Sequence, residues 1–293
     1  MNLDRLGIQA HCLRHLFAAG FEHGLSAVAD RGLRVLELVS FPGCRGNAWG
    51  DFGLSTDLPA REIGARLAAA GISCPSVMVN ERELAPERAQ TTLRWVSEVG
   101  CQYVALSSFA HPDEPTLADW QRCFEELMLH AARCADAGLR FVVHTQPSLW
   151  RLCRGHLPAN LLLHWADPRR CLIEYDPSGA IIYGLDPATY LEQRPEVFYA
   201  LHLRDGSTPA EPVFYLPSAP LGTGGINWTR LLAAAAATAI QWYLIEMELL
   251  DREAVLDAVD TSLSFLETGG FVPGVERLRR ARAAPLTLSD SPV

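Results

Sequence analysis

The chain has no lysine. All 25 of its basic residues are arginine, and that absence removes several chemistries at once. A Schiff-base aldolase, a pyridoxal phosphate enzyme and a P-loop nucleotide hydrolase each depend on a lysine amine. Arginine is no replacement as a nucleophile, because its guanidinium stays protonated. Basic charge is scarce overall, and 34 acidic side chains bring the net charge to −9. That balance argues against broad contact with nucleic-acid phosphates or anionic membranes, and no basic run interleaved with aromatics restores such a role. The eight cysteines contain no C-x-x-C pair, which speaks against a structural zinc site of the usual spacing. The most apolar stretch, LLAAAAATAIQWYLIEMELL, is dominated by alanine and interrupted by Gln241, Glu246 and Glu248, so it does not read as a membrane span. The opening MNLDRLGIQAHCLRHLF lacks a signal-peptide pattern. The expectation is therefore a cytoplasmic protein whose reduced cysteines act mostly as small apolar core residues.

What the chain does have is rhythm. Short β-rich runs alternate with helical patterns at 6–12, 33–40, 72–80, 101–108, 139–145, 170–176, 197–203 and 240–248. The clearest helix spans about 117 to 137: Thr116 caps it with Asp119 three residues on, Trp120, Phe124, Leu127 and Ala131 recur at helical spacing, and Gly138 ends it. Eight strand–helix units at this length predict a single-domain α/β fold, a (β/α)8 barrel. The competing doubly wound sheet lacks its Gly-rich fingerprint after the first strand. The barrel is expected over residues 1–284, with 285–293 as a flexible tail.

In such a barrel the active face lies at the C-terminal strand ends, and strand alternation sorts the polar residues there. Phe198, Ala200, His202 and Arg204 share a face on strand seven. Trp242, Leu244, Glu246 and Glu248 do so on strand eight, Glu174 and Asp176 on strand six, and His144 and Gln146 on strand five. Two histidines and at least two carboxylates thus converge on one end. Buried carboxylates without a cation are costly, and a divalent ion removes that cost. The set His144, Asp176, His202 and Glu246 suits one divalent ion with open positions for substrate oxygens: manganese, iron, cobalt, zinc or magnesium. Glu37 is expected to line the pocket or to pair with an arginine, and His11, Asn80, Ser107 and Gln146 to line it. His23, His111, His130, His156 and His164 are expected at the surface.

These strand ends resemble the xylose isomerase-like barrel superfamily, the sugar phosphate isomerases and epimerases. LRVLELVS with Glu37, IEYDPSGAIIYGLDP with Asp176, YALHLRD with His202, PLGTGGINWTRLL and YLIEME with Glu246 follow the family's order. The resemblance implies that Asp176, His202 and Glu246 are metal ligands. It also exposes departures: His144 stands where the epimerases commonly carry a glutamate, Gly179 replaces a histidine, and Arg204 replaces the lysine of the His-x-Lys-Asp strand end.

The chemistry implied is α-proton abstraction through an enediolate on a small carbohydrate-like substrate. Glu246 is the expected base, with Glu174, Glu248 or His144 as partner. Arg204, Glu37, Gln146, His11 and Glu248 are the expected substrate-binding residues, Arg204 as anchor for a carboxylate or phosphate unless it merely pairs with Asp205 or Glu246. The first expectation is an isomerase or epimerase. A metal-dependent lyase or dehydratase on the same scaffold, and a barrel without catalysis serving as a binding or partner subunit, are the alternatives. Self-association into a homo-oligomer stays open.

Overall fold

The eight β-rich runs form eight parallel strands that close on themselves. They are β1 (Leu6–Gln9), β2 (Val35–Val39), β3 (Ser76–Val79), β4 (Tyr103–Leu106), β5 (Arg140–His144), β6 (Cys171–Tyr175), β7 (Phe198–Leu203) and β8 (Trp242–Ile245). Each pairs with the next, and β8 pairs back onto β1, in a computed structural model that describes residues 1–39, 58–211, 213, 216–247 and 252–272. The fold is the expected single-domain (β/α)8 TIM barrel. Glu248, residues 40–57 and the expected tail at 285–293 lie outside the described residues.

The strands are shorter than the apolar runs that announce them. β1 gives way at Ala10 to a 3-10 turn, Ala10–Leu13, whose four residues remain buried. The run stays buried because the turn packs against β2 and helix Arg14–Ala19, not because the strand continues. The long helix matches its expectation closely: it spans Leu117–Asp136, with a reciprocal capping box between Thr116 and Asp119. Gly138 then takes φ 74°, the left-handed conformation that turns the chain into β5. Among the described residues, no helix is long and apolar enough to cross a membrane.

One irregularity decides which way strand seven faces. Ile173 pairs with Phe198 but Glu174 pairs with Ala200, so β7 carries one extra residue, a bulge at Tyr199. The bulge breaks the simple alternation. Phe198 packs outward against Tyr175 and against Tyr190 of helix Pro187–Gln193. Tyr199 points inward and stacks on Tyr103 of β4, with ring centroids 4.1 Å apart. Because β4 and β7 are not neighbours in the sheet, that contact crosses the barrel interior. Phe198 therefore does not share the face of His202 and Arg204, as alternation alone predicts.

Candidate functional site

Above the tyrosine pair the interior turns polar. Glu37 in β2, Glu174 in β6 and His202 in β7 have no solvent exposure at all. Glu37 accepts a hydrogen bond from the Ser76 hydroxyl at 2.7 Å. Its other oxygen lies 3.3 Å from His202 Nε2, and Glu174 Oε1 lies 3.4 Å from the same nitrogen. Glu37 thus pairs with a histidine and a serine, not with an arginine. These approaches are close but misaligned, so His202 Nε2, Glu37 Oε2 and both Glu174 oxygens have no hydrogen-bond partner.

One layer nearer the mouth, His144 at the end of β5, Asp176 just past β6, His202 in β7 and Glu246 just past β8 each place one donor atom within 4.8 Å of the others. Strand register explains the convergence, since His144 lies opposite Glu174, and His202 opposite Leu244. His144 Nδ1 donates to the Ser107 carbonyl at 3.2 Å. A carbonyl only accepts, so this bond fixes the tautomer and leaves Nε2 bare, 3.8 Å from Asp176 Oδ2 and without a hydrogen-bond partner. Asp176 is set in place by the Ser178 amide, which donates to its Oδ1 at 2.7 Å.

The charges in this cluster are strongly perturbed. Burial opposes a charge on His202, but Glu174 and Glu246 overcome it and raise the imidazole well above its ordinary value. Its Nδ1–H donates to Glu246 Oε2 at 2.6 Å. Burial likewise disfavours a charged Glu246, yet His202 and Arg204 outweigh it and hold the carboxyl below the usual range. Burial, and then the neighbouring Glu37, push Glu174 up to about 8. His144 is lowered by burial and by the adjacent His202.

Arg204 follows β7 into this group. Its Nη1 lies 3.4 Å from Asp176 Oδ2 and 3.5 Å from Glu246 Oε1, and its Nη2 donates to the Leu216 carbonyl at 3.3 Å. Asp205 is not its partner. That carboxylate accepts from the amides of Gly206, Gly222 and Gly224 and from the Trp228 indole at 2.8, 2.8, 3.2 and 2.9 Å. A Cβ on Gly224 would meet Asp205 Oδ1 at 2.2 Å, which is why glycine stands there. The Gly-rich loop and Trp228 are thus folded around the last residue of the HLRD strand end, a role that sequence reasoning missed. An aspartate followed some twenty residues later by a Gly-Gly-x-x-Trp run is the signal for it.

The remaining expected residues scatter. His11 is buried in the turn after β1. Burial and Arg14 lower it to about 4, and it stands close enough to feel the charges of Glu246 and Arg204. The Gln146 amide is engaged elsewhere: it accepts from the Phe109 amide and donates to the Phe109 carbonyl and the Ser148 hydroxyl. Asn80 caps the turn Glu81–Leu84. His130 is buried against Phe141 and Arg133 instead of lying at the surface, because its helix turns that face to the barrel. His111 is half-buried, bonded to the Ser148 hydroxyl at 2.8 Å.

The missing histidine at position 179 has a steric cause. A Cβ there would fall 2.0 Å from Trp150 Cδ1. The indole of Trp150, from the turn Pro147–Trp150, occupies the space that a side chain at 179 needs.

Comparison with known proteins agrees with this architecture. A sequence model described as xylose isomerase-like TIM barrel matches residues 25–268. A sugar phosphate isomerase/epimerase from Parabacteroides distasonis ATCC 8503 superposes with a TM-score of 0.75 at 18% identity, covering 92% of this chain and 97% of that one. An L-ribulose 3-epimerase gives 0.67 at 17% identity, with 98% and 99% covered. A probable 3-DHS dehydratase, AsbF of petrobactin synthesis in Bacillus anthracis, gives 0.66 at 12%, with 89% and 98% covered. At these identities the likeness is one of fold. No curated protein sequence matches the chain.

Proposed function

The chain belongs to the xylose isomerase-like TIM barrel family, and within it we propose a divalent-metal-dependent isomerase or epimerase that removes the proton α to a carbonyl of a sugar or sugar derivative. The observation that carries this reading is the convergence of His144, Asp176, His202 and Glu246 within 4.8 Å at the mouth. Two carboxylates and two imidazoles, with His144 Nε2 bare and aimed into the group, form a donor set that fits a divalent ion. These four residues would hold it. When bound, it supplies Lewis acidity to adjacent carbonyl and hydroxyl oxygens of the substrate.

The chain's own residues supply the rest. Glu246, ionised and 5% exposed, is the base within reach of a substrate. Arg204, 3% exposed, pairs with Asp176 and Glu246, the other of its two expected roles, and neutralises both carboxylates. Glu37 and Glu174 have no exposure and lie against His202 Nε2 from below, which positions the ring. The Ser107 carbonyl fixes the His144 tautomer. His11 stays neutral and polar at the rim.

A second reading, a lyase or dehydratase, is favoured by one observation. β5 ends in the His144 imidazole, so among the described residues no carboxylate from β5 stands opposite Glu246 as the glutamate pair of an epimerase would. Both readings begin with the same proton abstraction. The test is metal analysis of the purified chain, followed by incubation of candidate sugars in deuterium oxide with and without chelator. Chelator-sensitive wash-in of deuterium at one substrate carbon is expected; net elimination of water selects the second reading. A chain that takes up no divalent ion, and exchanges no carbon-bound proton with any ketose, aldose or keto acid, refutes the proposal.

A further inference from the structure

The closed end of the barrel, opposite the mouth, carries a pair of cysteines that the proposed chemistry does not use. Cys74 precedes β3 and Cys101 precedes β4. The two strands pair Ser76 with Tyr103, and running that register back by two residues sets position 74 opposite position 101. The backbones are locked there, because the amides of Gln102 and Tyr103 both donate to the Pro75 carbonyl, at 3.3 and 3.2 Å. Neighbouring parallel strands lie about 4.8 Å apart, inside the Cα span of roughly 4.4–6.8 Å that a disulfide accepts. The sulfurs already touch: the Cys101 thiol donates to Cys74 Sγ at 3.2 Å. Closing to a bond of about 2.05 Å moves each sulfur by only ~0.6 Å. The Cys74 thiol also donates to the Ser76 carbonyl at 3.4 Å, whereas Cys12, Cys123 and Cys153 donate to the carbonyls of Ile245, Ala110 and Pro115 with no thiol–thiol contact among the described residues.

We propose that Cys74 and Cys101 form a reversible disulfide that staples β3 to β4 at the closed end of the barrel, with a low-molecular-weight disulfide as oxidant. The two thiols differ in the way this chemistry needs. Cys74 is half-buried and open to reagent, whereas Cys101 is 4% exposed. The contact with Cys74, and then burial, hold the Cys101 thiol above its ordinary value, so exchange begins at Cys74. Its thiolate attacks one sulfur of oxidised glutathione, forming a mixed disulfide and releasing one glutathione thiolate. Cys101 gives its proton to solvent and attacks Cys74 Sγ, displacing the second glutathione. Two protein thiols are oxidised and one glutathione disulfide is reduced to two thiols. The staple closes the segment 74–101, which carries β3 and helix Pro86–Val99.

The missing lysines make the test unambiguous. Trypsin cuts this chain only at arginine, leaving Cys74 in the peptide 67–82 and Cys101 in the peptide 95–122, each with no other cysteine. The full chain is incubated with oxidised glutathione, blocked with N-ethylmaleimide, digested and mass-analysed. A cross-linked 67–82/95–122 species, lost on treatment with dithiothreitol, is the expected result. Cys123, half-buried with no partner thiol among the described residues, should stop at the mixed disulfide. A stable Cys74–glutathione adduct beside a fully alkylated 95–122 peptide overturns the proposal. Cys74→Ala checks the order of events: Cys101 should then resist glutathione, and its modification at the wild-type rate would also overturn the proposed route.

Discussion

Replacing Glu174 by glutamine should stabilise the metal-free protein near neutral pH, although the residue is a fully buried acid in the middle of the barrel. Burial and Glu37 raise its carboxyl from the usual 4.5 to about 8, so the folded state holds a proton there that the unfolded chain has released. A raised carboxyl means stability that is full below pH 4.5 and falls steadily as the pH climbs to 8. At pH 7 the loss is about 3 kcal/mol, at 1.36 kcal/mol per pH unit. Glutamine imitates the protonated carboxyl without that penalty, while its amide competes for the same few partners at a cost of about 1–2 kcal/mol. The expected net gain for Glu174→Gln is about 1–2 kcal/mol at pH 7, growing toward pH 8 and turning into a loss of up to about 1 kcal/mol at pH 5. Glu37→Gln should behave in the opposite way. Glu37 accepts the Ser76 hydroxyl and faces the His202 cation, and removing one side of a buried pair costs about 3–5 kcal/mol. Urea unfolding of chelator-treated wild type and both variants at pH 5, 7 and 8.5, followed by circular dichroism, measures this. If Glu174→Gln destabilises as much as Glu37→Gln at pH 7, with the wild-type pH slope intact, the proton is not on Glu174 and the reasoning fails.

Other expectations follow from the same geometry. Because His202 is held protonated against Glu246, divalent ion uptake should release protons and weaken as the pH falls; titration calorimetry in buffers of different ionisation enthalpy measures the release, and none would separate His202 from the ion. His11 is lowered from 6.5 to about 4, so its contribution is full above pH 6.5 and is lost as the pH falls to 4, about 3 kcal/mol in all; His11→Asn should flatten the wild-type stability profile in that window. Asp205→Asn replaces an acceptor of three N–H donors by an NH2 group or disturbs the fourth bond, and should cost roughly 2–4 kcal/mol, read as a lower urea midpoint together with loss of the buried Trp228 fluorescence signature.

Fold and site were not equally legible in the sequence. Eight alternating runs are a global pattern, and the parallel barrel buries both faces of each strand, so every run announces itself by apolar content. The four strand-end residues were visible for a related reason, since a polar residue at the end of an apolar run is conspicuous. What stayed hidden depends on contacts across the barrel. The extra residue at Tyr199 cannot be read from β7, because it exists only relative to β6, and it reverses Phe198 while leaving His202 inward. Glu37 looked free to meet an arginine, whereas its partners Ser76 and His202 lie 39 and 165 positions away. Position 179 looked like a lost ligand, and only the packed structure shows Trp150 in its place. Asp205 could be read only as one possible partner of Arg204, since three of its four donors come 17 to 23 residues later.

The cation balance of the mouth leads to a distinction between folding and function. Asp176 and Glu246 are buried carboxylates, and without positive charge each would cost several kcal/mol. That charge is already present: Arg204 lies within 3.5 Å of both, and His202 is protonated against Glu246. The site is therefore electrostatically balanced without an ion, unlike a structural zinc site whose protein unfolds on chelation. Chelated protein should keep its far-ultraviolet circular dichroism and cooperative unfolding, and adding manganese, cobalt or zinc should raise Tm by linkage alone, in proportion to the logarithm of free ion above Kd. Arg204→Met sharpens the test. Removing the fixed charge should lower the stability of the chelated form while tightening ion binding, because the two carboxylates then depend on the ion. Unfolding of the wild-type chain by chelator, or weaker ion binding in Arg204→Met, would mean that the guanidinium and the ion do not share the same pair of carboxylates.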